Sequence, residues 1–164
     1  MSSARHWIEK LSLARHPEGG WYRETYRSGE TIRRDHLPPR FDGDRAFSTA
    51  IYYLLESGDF SALHRIRQDE VWHHYDGSSL TLHLISPAGE YSTLSLGRGR
   101  TGSPQAVTRA GFFFAATVDE PDSCTLAGCT VAPGFDFADF DLPSRADLLR
   151  LYPHLREVVE RLTR

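Results

Sequence analysis

Four of the eight histidines, His64, His73, His74 and His83, fall between positions 64 and 83, where an even spread would place about one. Imidazole changes charge near neutral pH and is a common metal ligand, so this cluster points to proton transfer or metal binding. Side chains alternate across a strand. His64 and Ile66 therefore share one face, and Glu70, Trp72 and His74 share a face of the next strand; of the adjacent His73 and His74 at most one can face the barrel, and the sequence leaves open which. A histidine and a carboxylate meeting inside a barrel form an acid–base pair or half of a metal site. Ringed by Trp72, Phe112, Phe114 and Phe137, the Glu70 carboxyl would be drawn towards its neutral form, while pairing with His64 would favour the ionised one. The bland alternative is a mutually satisfied buried pair. Arg23, if it turns into the barrel mouth, could hold a carboxylate or phosphate. His83, between Leu82 and Leu84, reads as structural, and His6, His16, His36 and His154 stand in polar or turn contexts without a functional signal.

These groups can meet only if the chain around them folds into strands. Short β-branched and aromatic runs recur at 47–55, 61–66, 70–75, 80–86, 91–96, 105–108, 112–117 and 124–131. Turn residues separate them; Asp76-Gly77 is the strongest hairpin signal, and Gly97 to Arg100 reads as another hairpin loop. Regularly spaced strands without intervening helices predict an antiparallel sandwich or barrel. Trp21 to Tyr26 adds a strand, and the polar, aperiodic stretch 28–45 reads as a long surface loop able to form a flap. Trp7, Ile8 and Leu11 predict a short amphipathic helix capped by Ser2 or Ser3, stopped by the turn His16-Pro17-Glu18-Gly19-Gly20. After Pro143, an apolar stripe from Leu148 to Leu162 predicts helices interrupted at Pro153, with Ser144 as the first cap. Phe135-Asp136-Phe137-Ala138-Asp139-Phe140 reads as a lid or as barrel-end packing, with Asp136 capping a turn. The expected fold is one all-β domain over residues 1–164, with its barrel core at about 20–140 and helices at 144–163.

The spacing His64, five residues, Glu70, six residues, Gly77 resembles the first motif of the cupins, and Thr108 to Phe114 resembles the second. The strings His16 to Ser28, Ser48 to Leu55, His64-Arg65-Ile66 with Asp69 to His73, and Cys129 to Phe140 are similar to the DUF985, or Cupin_5, family of small cupins. The resemblance spans roughly residues 10–153. It implies a double-stranded β-helix, the cupin jelly roll, forming a homodimer with a small-molecule pocket inside the barrel. Metal-binding cupins take two histidines and a glutamate from the first motif and a histidine from the second. Here the corresponding positions read His64, Ile66, Glu70 and Phe114, so two ligands remain of four and no metal cofactor is expected. A metal would need His64, Glu70 and a further histidine such as His73 or His74. By analogy with metal-free cupin epimerases, His64 would be the base, and Tyr53, Tyr52 or Tyr22 the opposing acid.

Forty per cent of the 164 residues are hydrophobic and 25% are charged, with a net charge of −3. That composition supports a single packed core and argues against nucleic-acid binding through phosphate neutralisation. No apolar run is long enough to span a bilayer and no leader pattern is evident, which makes the cytoplasm the expected compartment. Cys124 and Cys129, a lone C-x4-C pair, are too few for a zinc site and should remain reduced. Three functions remain. The first is a metal-independent isomerase or epimerase acting on a small polar, carbohydrate-like molecule. The second is a binding protein without turnover, and the third a metal-dependent cupin.

Overall fold

The computed structural model describes residues 4–100 and 102–164. Its elements are α1 (Ala4–Leu11), β1 (Ala14–Arg15), β2 (Trp21–Arg27), β3 (Thr31–Ile32), β4 (Arg45–Ala46), β5 (Thr49–Glu56), β6 (Phe60–His64) and β7 (Asp69–Gly77). They continue with β8 (Leu80–Ile85), β9 (Tyr91–Leu96), β10 (Gln105–Thr108), β11 (Phe113–Val118), β12 (Cys124–Ala132), α2 (Arg145–Leu151) and α3 (Arg156–Arg161). A six-stranded sheet in the order β1-β2-β5-β12-β7-β10 faces a four-stranded sheet, β6-β11-β8-β9, and every pairing is antiparallel. From β5 to β12 the chain changes sheet at every connection except the β8–β9 hairpin. This is the expected jelly roll.

Alternation builds the interior. On β7, Glu70, Trp72 and His74 are buried while Tyr75 is exposed, and the inward residues Leu80, Leu82 and Leu84 of β8 pack with Trp72, Phe114 and Tyr53. The outer face of the smaller sheet is buried too, because Leu148, Val159 and Leu162 of the C-terminal segment cover Phe113, Ala115 and Ile85. Ser144 caps α2 by accepting from the Asp147 N–H, and Pro153 opens the 3-10 turn that separates α2 from α3. Leu151 leaves the expected apolar stripe and is exposed. The N-terminal helix lays Trp7, Ile8 and Leu11 on Leu54 and Leu126; the expected caps Ser2 and Ser3 lie outside the described residues. Among the described residues no helix is long and apolar enough to cross a membrane.

Two turn assignments change. Gly77 does adopt the left-handed backbone that Asp-Gly announces (φ +87), and a Cβ there would strike the Cys124 carbonyl. Yet β7 and β8 belong to different sheets, so this turn is a corner. The same holds where the chain passes from β9 to β10, which lie in different sheets, with Leu96 bridging Ser103. A positive-φ signal reports the local bend and is silent about which strand comes next. The stretch 28–45 is not a flap: it is anchored by the β3–β4 pair and by buried Phe41, and it contributes no side chain to the barrel cavity.

Candidate functional site

The two sheets leave a cavity of about 290 Å³ at one end of the barrel. Its inner wall carries His64 from the end of β6, Glu70 and Trp72 from β7, Tyr53 from β5, and Cys129 from β12. The turn at 16–20 adds His16 and Glu18, and the segment Phe135–Phe140 arches over the opening. Asp136 caps a 3-10 turn there by accepting from the Ala138 N–H, and the rings of Phe135, Phe137 and Phe140 meet edge to face. Phe137 remains 51% exposed, so the roof is open to solvent on one side. A buried bidentate pair holds the roof. Arg45 donates to Asp139 at 2.7 and 2.5 Å, and Gln68 adds a 2.7 Å bond to the same carboxylate.

The strongest polar contact of the cavity differs from the expected His64–Glu70 pair. The carboxylate of Glu18 lies 3.0 Å from His64 Nε2, accepts from the Ser61 hydroxyl at 2.8 Å, and approaches His16 Nδ1 at 3.4 Å. His64 Nδ1 faces the Ala62 carbonyl oxygen at 2.7 Å. With Glu18 ionised, both neighbours of the His64 ring are acceptors, an environment that favours hydrogens on both nitrogens and the imidazolium form. Burial opposes that charge, but Glu18's field and hydrogen bond and the Ala62 carbonyl outweigh it and raise the His64 pKa. Burial likewise pushes Glu18 up, yet the charges of His64 and His16, with the His64 and Ser61 hydrogen bonds, hold it down at about 2. His16, which accepts the Glu18 backbone N–H at 3.3 Å, is pushed below its usual value by burial and by His64.

Glu70 behaves in the opposite way. Burial, then the negative charge of Glu18, raises its carboxyl to about 7 against the pull of His64. Beside it the Cys129 thiol is pushed up by burial and by Glu70. The buried indole N–H of Trp72 finds no hydrogen-bond acceptor among the described residues, although it lies near enough to Glu70 to moderate that rise. The cavity thus pairs a fixed charge couple with a carboxyl that titrates near neutrality and has a buried N–H donor beside it.

Of the expected site residues, His64, Glu70, Tyr53, Tyr22, Trp72 and Phe137 line the cavity. Tyr53, however, donates its hydroxyl hydrogen to the Gly19 carbonyl at 2.8 Å, and burial followed by Glu18's charge drives its pKa well above the usual range. It secures the turn and is a poor acid. Five residues lie elsewhere. Arg23 is exposed and donates to the Leu11 carbonyl. Tyr52, its neighbour across β2–β5, packs outside against Tyr75. His74 faces inward but at the far end, bonded to the Ser78 carbonyl. Phe114 sits behind His64 with ring centres 4.1 Å apart, and Phe112 packs at the margin of the core. His73 is on the outer face, stacked on Tyr75. His83 is buried beneath Tyr91 and Thr117, where burial and Arg161 lower it to about 4. Neither cysteine is in a disulfide.

His16 and Glu18 were hidden as turn residues. The turn reaches the site because Gly19 (φ +117) lets it press against β6, where a Cβ would collide with the Phe60 carbonyl oxygen. The Ala62 N–H also donates to the Glu18 carbonyl at 2.8 Å. The signal available in the sequence was the membership of His16-Pro17-Glu18-Gly19-Gly20 in the family-like string, since loop residues shared across a family point to function more than to packing.

The donor set does not fit a metal ion. Ile66 and Phe114 offer carbon at two of the four cupin ligand positions, and both nitrogens of His64 are already engaged by Glu18 and the Ala62 carbonyl. Among the described residues no group of three or more His, Cys, Asp or Glu is arranged to hold one.

Comparison with known proteins agrees with this architecture. The family model described as Cupin superfamily (DUF985) matches residues 5–143. Protein SO0799 from Shewanella oneidensis superposes with a TM-score of 0.90 at 38% identity, covering 100% of this chain and 99% of that one. A hypothetical protein from Leishmania major gives 0.88 at 31% identity, covering 99% of both. The uncharacterized yeast protein YML079W of Saccharomyces cerevisiae is 28% identical over 159 residues, 91% of this chain and 79% of its own. Oxalate decarboxylase from Bacillus subtilis, at 15% identity and a TM-score of 0.55 over 90% of this chain and 36% of that one, shares the fold alone. With the model matched along most of its length and the barrel in place, the chain belongs to the DUF985 family of the cupin superfamily.

Proposed function

We propose that the cavity binds a small polar molecule and isomerises it by moving a proton, with Glu70 as the base and the His64–Glu18 couple as fixed electrostatic support. This reverses the expected roles: His64, already an imidazolium, cannot take a proton, whereas Glu70 titrates where a general base is effective. Its carboxylate would remove the hydrogen from a carbon next to a carbonyl. The electron pair would pass to the oxygen as an enediolate facing the His64 charge. Returning the proton to the neighbouring carbon, while the hydroxyl proton moves to the former carbonyl oxygen, completes the isomerisation. A single base suffices, which favours a 1,2-shift over inversion across two faces. The observation that carries the reading is the divergence of two buried carboxyls lining one cavity, Glu18 paired with His64 and held at about 2, Glu70 unpaired with it and raised to about 7.

The test is hydrogen exchange. Hydroxycarbonyl compounds incubated with the protein in D2O should lose the proton next to the carbonyl, followed by NMR. Glu70→Gln should slow the loss by at least about a hundredfold. Compounds that bind while keeping that proton would overturn catalysis and leave a binding protein, a role the buried Trp72 N–H and aromatic wall also suit.

A further inference from the structure

Beyond the direction of proton movement, the charges around the cavity restrict what can enter it. Three carboxyls, Glu18, Glu24 and Asp136, line it against two cations, Arg27 and His64, before Glu70 is counted. Arg27 keeps only its Nη1 N–H groups unengaged, and His64 keeps none. The Arg27 Nε donates to Glu24 at 3.0 Å, and its Nη2 donates to the same carboxylate at 2.8 Å and to the Phe135 carbonyl at 3.0 Å. His64 is closed by Glu18 and Ala62. What remains is the Glu70 carboxyl, with the buried Trp72 N–H beside it. The volume of about 290 Å³ lies at the lower end for small-molecule sites.

We infer that this site takes an uncharged hydroxycarbonyl compound no larger than a monosaccharide and rejects its phosphorylated or nucleotide-linked counterparts. A carbonyl or hydroxyl oxygen answers Trp72, a hydroxyl donates to Glu70, and the C–H face of the ligand rests on Tyr22 and Phe137 at the mouth. A phosphate would have to sit beside the carboxylates of Glu24 and Asp136, and because Glu24 already holds Nε and Nη2 of Arg27, a bidentate grip on that guanidinium would break the existing pair. The inference rests on the cavity being the ligand site under the reading above, but it concerns binding and not turnover.

The experiment measures binding by calorimetry and saturation-transfer NMR for matched pairs: glyceraldehyde and its 3-phosphate, arabinose and its 5-phosphate, glucose and its 6-phosphate. At least one neutral member should bind tenfold or more tightly than its phosphate. Glu24→Gln, on an exposed strand residue, frees Arg27 and should narrow that ratio by about tenfold. A phosphate that binds as tightly as its neutral partner to the unmodified protein overturns the inference, as does failure of every neutral member to bind. Binding of a neutral member without hydrogen exchange would leave the ligand class standing while overturning proton transfer, so the two failures are distinguishable.

Discussion

Replacing Glu70 by Gln removes a carboxyl from the floor of the cavity while keeping its shape, and the structure sets the direction in which stability should move. Burial and the charge of Glu18 raise Glu70 from 4.5 to about 7, so the folded chain binds this proton more tightly than the unfolded chain does. Folding stability therefore falls as pH rises through that interval: the contribution is complete below about 4.5 and gone above about 7. A gap of about 2.5 units at about 1.36 kcal/mol each amounts to about 3 kcal/mol by pH 8. Glutamine cannot ionise and escapes this loss. The variant should match the unmodified protein near pH 4.5 and exceed it by up to about 3 kcal/mol at pH 8, or about 6–12 °C in melting temperature. Urea denaturation of both proteins at half-unit steps from pH 4.5 to 8.5 measures the difference. Titration of His64 is present in both and largely cancels. A difference that stays flat with pH, or a variant that grows weaker as pH rises, would show that Glu70 is ionised and paired in the fold, and the acid–base assignment would fail. A gain in stability together with loss of exchange would mark Glu70 as a residue whose chemistry is bought with stability.

Glu18→Gln should have the opposite consequence, costing about 3–5 kcal/mol at pH 7 because the His64 imidazolium is left buried without its counter-charge. Burial then dominates His64, whose NMR titration should fall below its ordinary value; a His64 that still titrates high would refute the couple. In the unmodified protein the support from Glu18 is present above about 4.5 and is lost as pH falls towards about 2. Asp139→Asn should cost a similar 3–5 kcal/mol by breaking the buried pair with Arg45, and should weaken ligand binding by loosening the roof at Phe137 and Phe140. A loss under about 1 kcal/mol in urea denaturation would show that the roof is held by its aromatic contacts instead.

The strands were legible because alternation is a local property. Tyr91–Leu96 and Gln105–Thr108 were bounded correctly, and others missed by one or two residues, since each buried face had to be written every second position. The facing of Glu70 and Trp72 followed from the same rule. Less visible was which turn crosses between sheets, because Gly77 and the loop from Gly97 to Arg100 advertise a bend and not its destination. Least visible was the partner of His64. Glu18 lies 43 residues from Ser61, with which it shares a hydrogen bond, and no periodicity links a turn to a strand so far along the chain. Period two also misjudged depth: His74 does face inward, but two residues beyond Trp72 it has already left the cavity for the opposite end of the barrel.

The turn that carries Glu18 occupies the place of lost ligands in a physical sense. With Ile66 and Phe114 at two of the cupin ligand positions, the His64 ring sits against carbon on one side, its centre 4.1 Å from that of Phe114. An imidazole so enclosed must satisfy its nitrogens within the protein. One is satisfied by its own strand, through Ala62, and the other by a carboxylate delivered from outside the sheets. The site's positive charge therefore depends on backbone sterics at Gly19. Any side chain there meets the Phe60 carbonyl and moves Glu18 away from Nε2, and burial then strips His64 of its proton. A barrel of this kind holds its central charge through the shape of one turn, so the residues that tune it lie in a loop before the second strand.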